Sequence, residues 1–333
     1  MEPTFNDYVN LIYNRFEAFV QSSEEVTKLG HPYVYQEQSL LMFFMWMQFK
    51  HIYPFKSQWN WLNRHSEALE VLNWSRVPHR TTLSRRYKAL YAVVQDFIAF
   101  LGKTSQALGV TMSGKHLNED QSLFKALGPV WHQSDRKVGR IPEKLRNLDR
   151  DATWSKSGYH GWVYGYGLHL TSNATGFPFL IEVETAAFSE KEALQRKEAT
   201  ILQTLKPETV CGDDAYTRSM RIRRWLQQDV ILVVPALRWH QGHYAQAYRR
   251  FIRADRQIAL ILRHRRTAIE PVFDLIAKLL GTVGKQKQLF KQGIHNVRTH
   301  LALAVLSLQI AMISNSVWKL PFRTISCIKA AFA

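Results

Sequence analysis

Three acidic side chains occupy positions from which they could serve one centre. Asp120 lies inside the β-like run Lys115–Phe124. Asp213 follows at once on the short strand-like run Thr209–Cys211, in Cys-Gly-Asp-Asp-Ala-Tyr. Glu270 lies in Arg-Thr-Ala-Ile-Glu-Pro-Val-Phe, where Ile269, Val272, Phe273 and Ile276 mark the buried stripe of a helix and set Glu270 at its edge, beside the sheet. Carboxylates brought together repel one another and partly protonate unless a cation neutralises them. The hard cations Mg²⁺ and Mn²⁺ take oxygen ligands and keep several waters, so about three carboxylates suffice. Two such ions roughly 3.5–4 Å apart activate an attacking oxygen and stabilise a departing one at a phosphodiester. Glu119 and Asp214 adjoin the first two acids, so spacing by itself leaves the register open.

These acids need a sheet to hold them. From about residue 110, β-rich runs at Lys115–Phe124, Gly161–Leu170 and Pro178–Thr185 follow one another. A helix over Ser189–Leu205, a strand at Thr209–Cys211, a helix over Tyr216–Gln228, a strand at Val230–Pro235 and a helix over Arg266–Leu280 come next. Strands in succession suit antiparallel pairing, and the later alternation suits parallel pairing with crossover helices. The expected fold class is α/β: a mixed five-stranded sheet of the ribonuclease-H-like arrangement, flanked by helices. Arg136–Arg150 reads as a long polar loop.

Ahead of the sheet, residues 1–105 read as helical. Phe5, Tyr8, Leu11, Ile12, Phe16 and Phe19 recur on one helix face, and Tyr35–Phe49 is apolar nearly all round. In Val77–Lys88, Thr81 or Thr82 can cap a helix that at once presents Arg85, Arg86 and Lys88, as the recognition helix of a helix-turn-helix does. The expected organisation is an all-α N-terminal DNA-binding domain over 1–108, a catalytic domain over 109–315 and a C-terminal tail over 316–333.

Composition narrows the partner. The 333 residues carry 44 Lys+Arg against 27 Asp+Glu, a net charge of +17. Cys211 and Cys327 are too few for a disulfide framework or a CxxC zinc site. The most apolar stretches, Leu40–Met47 and Leu301–Ile313, fall short of the roughly 20 residues of a membrane span. Met1-Glu2-Pro3-Thr4 has no leader pattern, so a cytoplasmic, nucleic-acid-binding protein with no membrane partner is expected. Residues 216–270 hold 12 Arg and no Lys against Asp229, Asp255 and Glu270, a net of +9 and more than half of the excess. Arg218, Arg221, Arg223 and Arg224 form one group, and Arg249, Arg250, Arg253 and Arg256 a second. An all-Arg choice suits bidentate phosphate contacts. Gly109–Lys115 has P-loop spacing but continues with His116 in place of Ser or Thr, and is set aside. His240 and His243 read as phosphate donors or solvated residues rather than metal ligands.

Four patches together resemble the DDE-type transposases of bacterial insertion sequences, over roughly residues 75–315. Asp120-Gln121-Ser122-Leu123 with Gly128-Pro129-Val130-Trp131-His132 resembles the family's first-Asp motif, and Trp162–Leu170 its glycine-tyrosine strand. Gly212-Asp213-Asp214-Ala215-Tyr216 is similar to the second-Asp motif. Arg266 with Glu270 reproduces the Arg-x3-Glu part of the signature, whose Tyr position is Arg263 here and whose Lys position is Ala277, with Lys278 next.

The resemblance implies Asp120, Asp213 and Glu270 as the catalytic, metal-holding acids, with Mg²⁺ or Mn²⁺ as cofactor. It implies cleavage at transposon ends to free a 3′-OH, attack of that hydroxyl on target DNA, and a homodimer joining two ends. Double-stranded DNA, both terminal inverted repeats and target, is the implied partner. Arg85, Arg86, Arg218, Arg221, Arg224, Arg249, Arg250, Arg253, Arg266 and Lys278 are its expected contacts. A structure-specific nuclease of the same fold, or a DNA-binding protein that does not cut, are the alternatives.

Overall fold

The computed structural model describes residues 2–22, 34–105, 114–143, 145–158, 161–236, 242–282 and 287–333. Most of the P-loop-like run Gly109–Lys115, and His240, lie outside them. Helices α1 (Phe5–Ser22), α2 (Glu37–Phe49), α3 (Phe55–Arg64), α4 (Glu67–Val71), α5 (Arg80–Ala89) and α6 (Tyr91–Thr104) come first. Then follow β1 (His116–Lys125), α7 (Gln133–Lys137), β2 (Thr153–Ser157), β3 (Gly161–Asn173) and β4 (Pro178–Thr185). The chain continues through α8 (Glu190–Ala199), β5 (Thr209–Cys211), α9 (Ser219–Leu226), β6 (Ile231–Val233), α10 (His243–Ala254), α11 (Arg256–Leu279), α12 (Ile294–Val317) and α13 (Ser326–Phe332).

The sheet is mixed, as expected, but has six strands among the described residues rather than five. Its order is β2-β3-β1-β5-β6, with β4 also on β3. β2 pairs with Gly161–Gly165 and β4 with the stretch from Tyr166 to Ser172, so the two share one edge of β3 while β1 takes the other. β1–β3, β2–β3 and β3–β4 are antiparallel; β1–β5 and β5–β6 are parallel. β2 is the added strand. Its sequence, Thr-Trp-Ser-Lys-Ser, lacks the apolar alternation that marks a half-buried strand. At Gly165 a Cβ would stand 1.9 Å from the Phe124 carbonyl oxygen, so a side chain there would force β3 away from β1.

The expected apolar faces of the N-terminal helices are buried: Tyr8, Ile12 and Phe16 on α1, and nearly every residue of α2. One apolar core runs from these helices through the sheet to α12 and α13. α12 is the reason. Every residue from Thr299 to Asn315 is buried. By length and composition this helix could cross a membrane, but 89% of its most apolar window lies inside the protein. Its polar side chains tie the two halves: Gln309 Nε2 donates to Ile98 O on α6 (3.0 Å) and to Pro178 O on β4 (2.9 Å). Thr299 Oγ1 donates to Tyr87 O on α5 (2.8 Å). Within residues 316–333, α13 buries Phe332 against Phe5, Tyr8 and Phe49.

α5 begins as expected, but its cap is His79 rather than Thr81 or Thr82. The His79 ring accepts the Thr81 N–H (3.3 Å). Residues 72–79 separate α4 from α5, where a helix-turn-helix uses a turn of three or four residues.

Candidate active site

Successive residues of a strand point to opposite faces. On β1 this sends Glu119 toward α8 and Asp120 toward α11. Glu119 is fully buried and ion-paired with Lys197 of α8, and its other oxygen accepts from Thr171 Oγ1 at 2.5 Å. Asp120 Oδ2 accepts from Arg265 Nη1 of α11 at 2.6 Å, and Oδ1 from the Gln121 N–H at 2.9 Å. Glu119 is thus engaged as a structural acid, while Asp120 meets Arg265, the buried arginine of α11.

Asp213 reaches the same place by register. β1 and β5 run parallel with Asn118 opposite Cys211, so Asp120 and Asp213 each lie two residues further along. There β5 ends, and Asp213 caps the 3₁₀ turn Asp214–Tyr216, its Oδ1 accepting the Ala215 N–H at 2.8 Å. Asp214, the next residue, accepts from Thr217 Oγ1 at 3.0 Å.

Charge balance in this corner is tight. Burial holds the Asp120 carboxyl above the usual range; the Arg265 guanidinium opposes that shift and the Asp213 charge adds to it. Glu190, the first residue of α8, joins them. Its carboxyl is pushed up to about 8, first by burial and then by the charges of Asp213, Asp120 and Glu119. Beside β5, burial raises the Cys211 thiol to about 12. Arg265 supplies the one strong neutralising contact to Asp120.

Glu270 stands elsewhere. The expected stripe of Ile269, Val272, Phe273 and Ile276 is buried. One residue beyond Ile269, however, the helix has turned by about 100°, and this carries Glu270 off the stripe rather than to the sheet. Its side chain is 60% exposed and faces Arg266, Nε to Oε1 3.7 Å. Among the described residues, no three His, Cys, Asp or Glu side chains converge as a ready ligand set for a metal ion.

The expected DNA contacts divide in the same way. Arg85, Arg218, Arg250, Arg253, Arg266 and Lys278 are exposed. Arg224 is exposed but ion-paired with Glu198. Arg249 is half-buried and donates to Ala236 O at 3.3 Å, and Arg86 lies 3.8 Å from Glu37. Arg221 is a correction. It is 1% exposed, donates to Lys191 O at 2.6 Å and sits 3.6 Å from Glu198, so it braces α9 against α8 and presents nothing to a phosphate. Arg223 instead lies over the exposed Tyr244 ring at 4.0 Å, and Arg256 and Arg263 of α11 are also exposed. A cleft of about 440 Å³ opens between β1 and α11, lined by His116, Asn118, Gln257, Leu260, His264 and Arg323 among others. Asn118 is two residues before Asp120 and shares its face.

Residues 131–289 match the family model described as Transposase DDE domain. Over this stretch, just under half of its length, the chain is similar to a transposase DDE domain. The resemblance to DDE-type insertion-sequence transposases read from the sequence is borne out by this match. The matched stretch of the transposase domain contains Asp213 and Glu270 and begins after Asp120, which reaches the site through β1. No curated protein and no solved structure matches the chain.

The DDE family works with divalent metal ions, and the residues of this chain fit one in part. Asp120 and Asp213 offer hard oxygen donors near one another, as such ions require, and no third ligand joins them among the described residues. Among the described residues, Glu190 Oε2 is buried without a hydrogen-bond partner. Glu270, on the outer face of α11, does not fit as placed. Sequence reasoning missed Arg265 and Glu190. Arg265 is one of four basic residues in Arg-His-Arg-Arg with nothing to single it out, and Glu190 reads as an ordinary acid in the first turn of a helix.

Proposed function

We propose that this protein is a DNA transposase that cuts at the ends of its element and joins them to target DNA, with Mg²⁺ or Mn²⁺ held by Asp120 and Asp213. The strand order around β1, with antiparallel partners on one side and parallel ones on the other, supports a ribonuclease-H-like core. One observation carries the reading: Asp120 of β1 and Asp213, just past the adjacent parallel strand β5, come close together beside Arg265 of α11. Bound at these carboxylates, a divalent ion supplies Lewis acidity to the attacking and departing oxygens of a phosphodiester.

The chain's own residues do the rest. Arg218, Arg250, Arg253 and Arg266 grip phosphates as bidentate donors, and Lys278 adds a point charge further along α11. The cleft between β1 and α11 admits a strand end to Asp120. The resemblance also assigns Glu270, which is proposed here as an acid of the DNA-facing surface of α11. α5, with Arg85 exposed, serves as a second DNA contact from the N-terminal helices. Two copies acting on two ends, in the cytoplasm on the chromosomal DNA, complete the reading.

The test is Asp120→Asn, assayed on DNA carrying the element's ends. Metal-dependent strand cleavage is expected to vanish while DNA binding is retained; cleavage surviving in that variant refutes the assignment. A second reading, a DNA-binding protein that does not cut, is favoured by the outward position of Glu270. It takes over if the wild-type chain binds the ends and never nicks them in Mg²⁺ or Mn²⁺.

A further inference from the structure

Residues 316–333 read from the sequence as a tail, yet they contribute an arginine to the cleft between β1 and α11. Arg323 lies between α12 and α13 and lines that cleft. Its Nε donates to Thr175 O at 2.9 Å, in the turn that joins β3 to β4, and its Nη1 reaches Thr267 O of α11 at 3.5 Å. Gly176 makes room for it: with φ at +83°, a Cβ there would stand 3.0 Å from Arg323 Nη2. Among the described residues, Nη2 has no hydrogen-bond partner and no carboxylate pairs with the guanidinium. Burial works against the charge of Arg323, and no described Asp or Glu lines the cleft to offset that.

The helix wall of the cleft is one face of α11, on which Gln257, Leu260, Ile261, His264, Thr267 and Ala268 recur at helical spacing. Leu260 is 42% exposed, so an apolar side chain stands open to solvent in a cleft that also holds a cation. On the strand wall, Asn118 is fixed by a bond from its Nδ2 to Asn173 O at 3.3 Å. Asp120 follows two residues later on the same face, about 7 Å away at the rise of a β-strand. The volume of about 440 Å³ falls within the range of about 300–1,000 Å³ that takes small organic ligands. A guanidinium without an acid suits a phosphate, and the apolar wall beside it suits a sugar and base.

We propose that this cleft seats one nucleotide of the bound DNA strand, with Arg323 on its phosphate and Leu260, Ile261 and Ala268 against its sugar and base. The proposal rests on the DNA-cutting function put forward above and deepens it by naming the strand contact beside Asp120. Arg323 is then a DNA-binding residue supplied by the C-terminal segment. A mere brace between the β3–β4 turn and α11 would use the two carbonyl bonds, and would leave the third nitrogen and the uncompensated charge without a purpose.

The experiment is fluorescence anisotropy of a labelled single-stranded hexanucleotide with the full-length protein in EDTA, over a salt series. Arg323→Gln is expected to weaken binding about tenfold and to lower the salt slope by about 0.7. Leu260→Glu, at an exposed position, should weaken it to a similar degree by setting a carboxylate against the phosphate. Arg64→Gln, which removes an exposed arginine of α3, should leave it unchanged. If Arg323→Gln only lowers the melting temperature, and both cleft variants bind as the wild type does, Arg323 is a brace and the inference is overturned. If deoxyadenosine monophosphate alone binds as tightly as the hexanucleotide, the cleft serves a free nucleotide and the strand assignment is overturned. A wild-type chain that binds duplex ends but not the hexanucleotide sinks the inference alone; one that binds neither takes the functional reading down with it.

Discussion

Arg265 of α11 donates to Asp120 of β1 at 2.6 Å, and the two side chains are 7% and 17% exposed. The helix that carries the arginine row is therefore pinned to the central strand by its one inward-facing arginine. Removing one partner of a buried pair costs roughly 3–5 kcal/mol, and the partial exposure of Asp120 trims this to about 2–4 kcal/mol. Arg265→Met is expected to lose that much stability in urea denaturation with EDTA. Because the guanidinium competes with a divalent ion for Oδ2, the same variant should regain part of the loss in Mn²⁺. Equal stability of variant and wild type in EDTA would show the pair to be energetically idle.

Glu119 and Lys197, next to that pair but on the opposite face of the sheet, are 0% and 4% exposed. Glu119→Gln leaves the Lys197 ammonium buried without a counter-charge, and a loss of roughly 3–5 kcal/mol is expected. Replacing both residues, Glu119→Leu with Lys197→Met, should recover most of it, because neither position then holds an unpaired buried charge. A double-mutant cycle measured by denaturation checks both statements.

Lys291 gives the fold a pH dependence. It is buried, its Nζ donates to Tyr53 O at 2.5 Å, and His300 lies in its field. Burial lowers its ammonium from 10.5 to about 7. The ring faces of Phe55 at 3.7 Å and Tyr87 at 4.6 Å favour the charged form and offset part of that cost. Between pH 7 and the ordinary lysine range the unfolded chain holds the proton and the folded chain does not. Stability therefore rises with pH through that window, and below it the burial penalty is present in full. A gain on the order of 2 kcal/mol between pH 7 and 9.5 is expected. Lys291→Met should flatten the slope, and a slope unchanged in that variant assigns it to other groups.

The exposed arginines of α10 and α11 set the salt dependence of DNA binding. Each phosphate contact contributes about 0.9 to the slope of log affinity against log salt on duplex DNA. Arg250→Ala and Arg253→Ala are each expected to reduce that slope by about 1. Arg221→Ala, inside the protein, should instead lower the melting temperature and leave the slope unchanged. Fluorescence anisotropy over a salt series separates the two classes.

How far these relationships can be read from the sequence depends on what fixes them. β4 and β5 fall where the apolar runs place them, and β1 within a residue, because local alternation decides them. β2 pairs only with β3 at the sheet edge, and Trp154-Ser155-Lys156 carries no alternation to read. α10 was hidden by its charge: Ala245 and Ile252 are its buried residues, set among three arginines and exposed Tyr244 and Phe251. α11 extends ten residues ahead of its expected start because Asp255 caps it, accepting from Gln257 N and Ile258 N. Asp120 was legible as an acid inside a strand and Asp213 as one just past a strand end. Their company, Arg265 and Glu190, is a product of helix rotation and packing, and for Glu270 a single residue of helical phase made the difference.

The helix on which both halves of the protein close, α12, begins only at Ile294. During synthesis the chain leaves the ribosome amino-terminus first, so α1–α6 and the sheet emerge well before the surface that seals them. Until α12 arrives, Gln309 cannot bridge α6 to β4, and the apolar faces of both halves stay open to solvent or chaperone. Docking of this late segment is then the event that makes the nascent chain one cooperative unit.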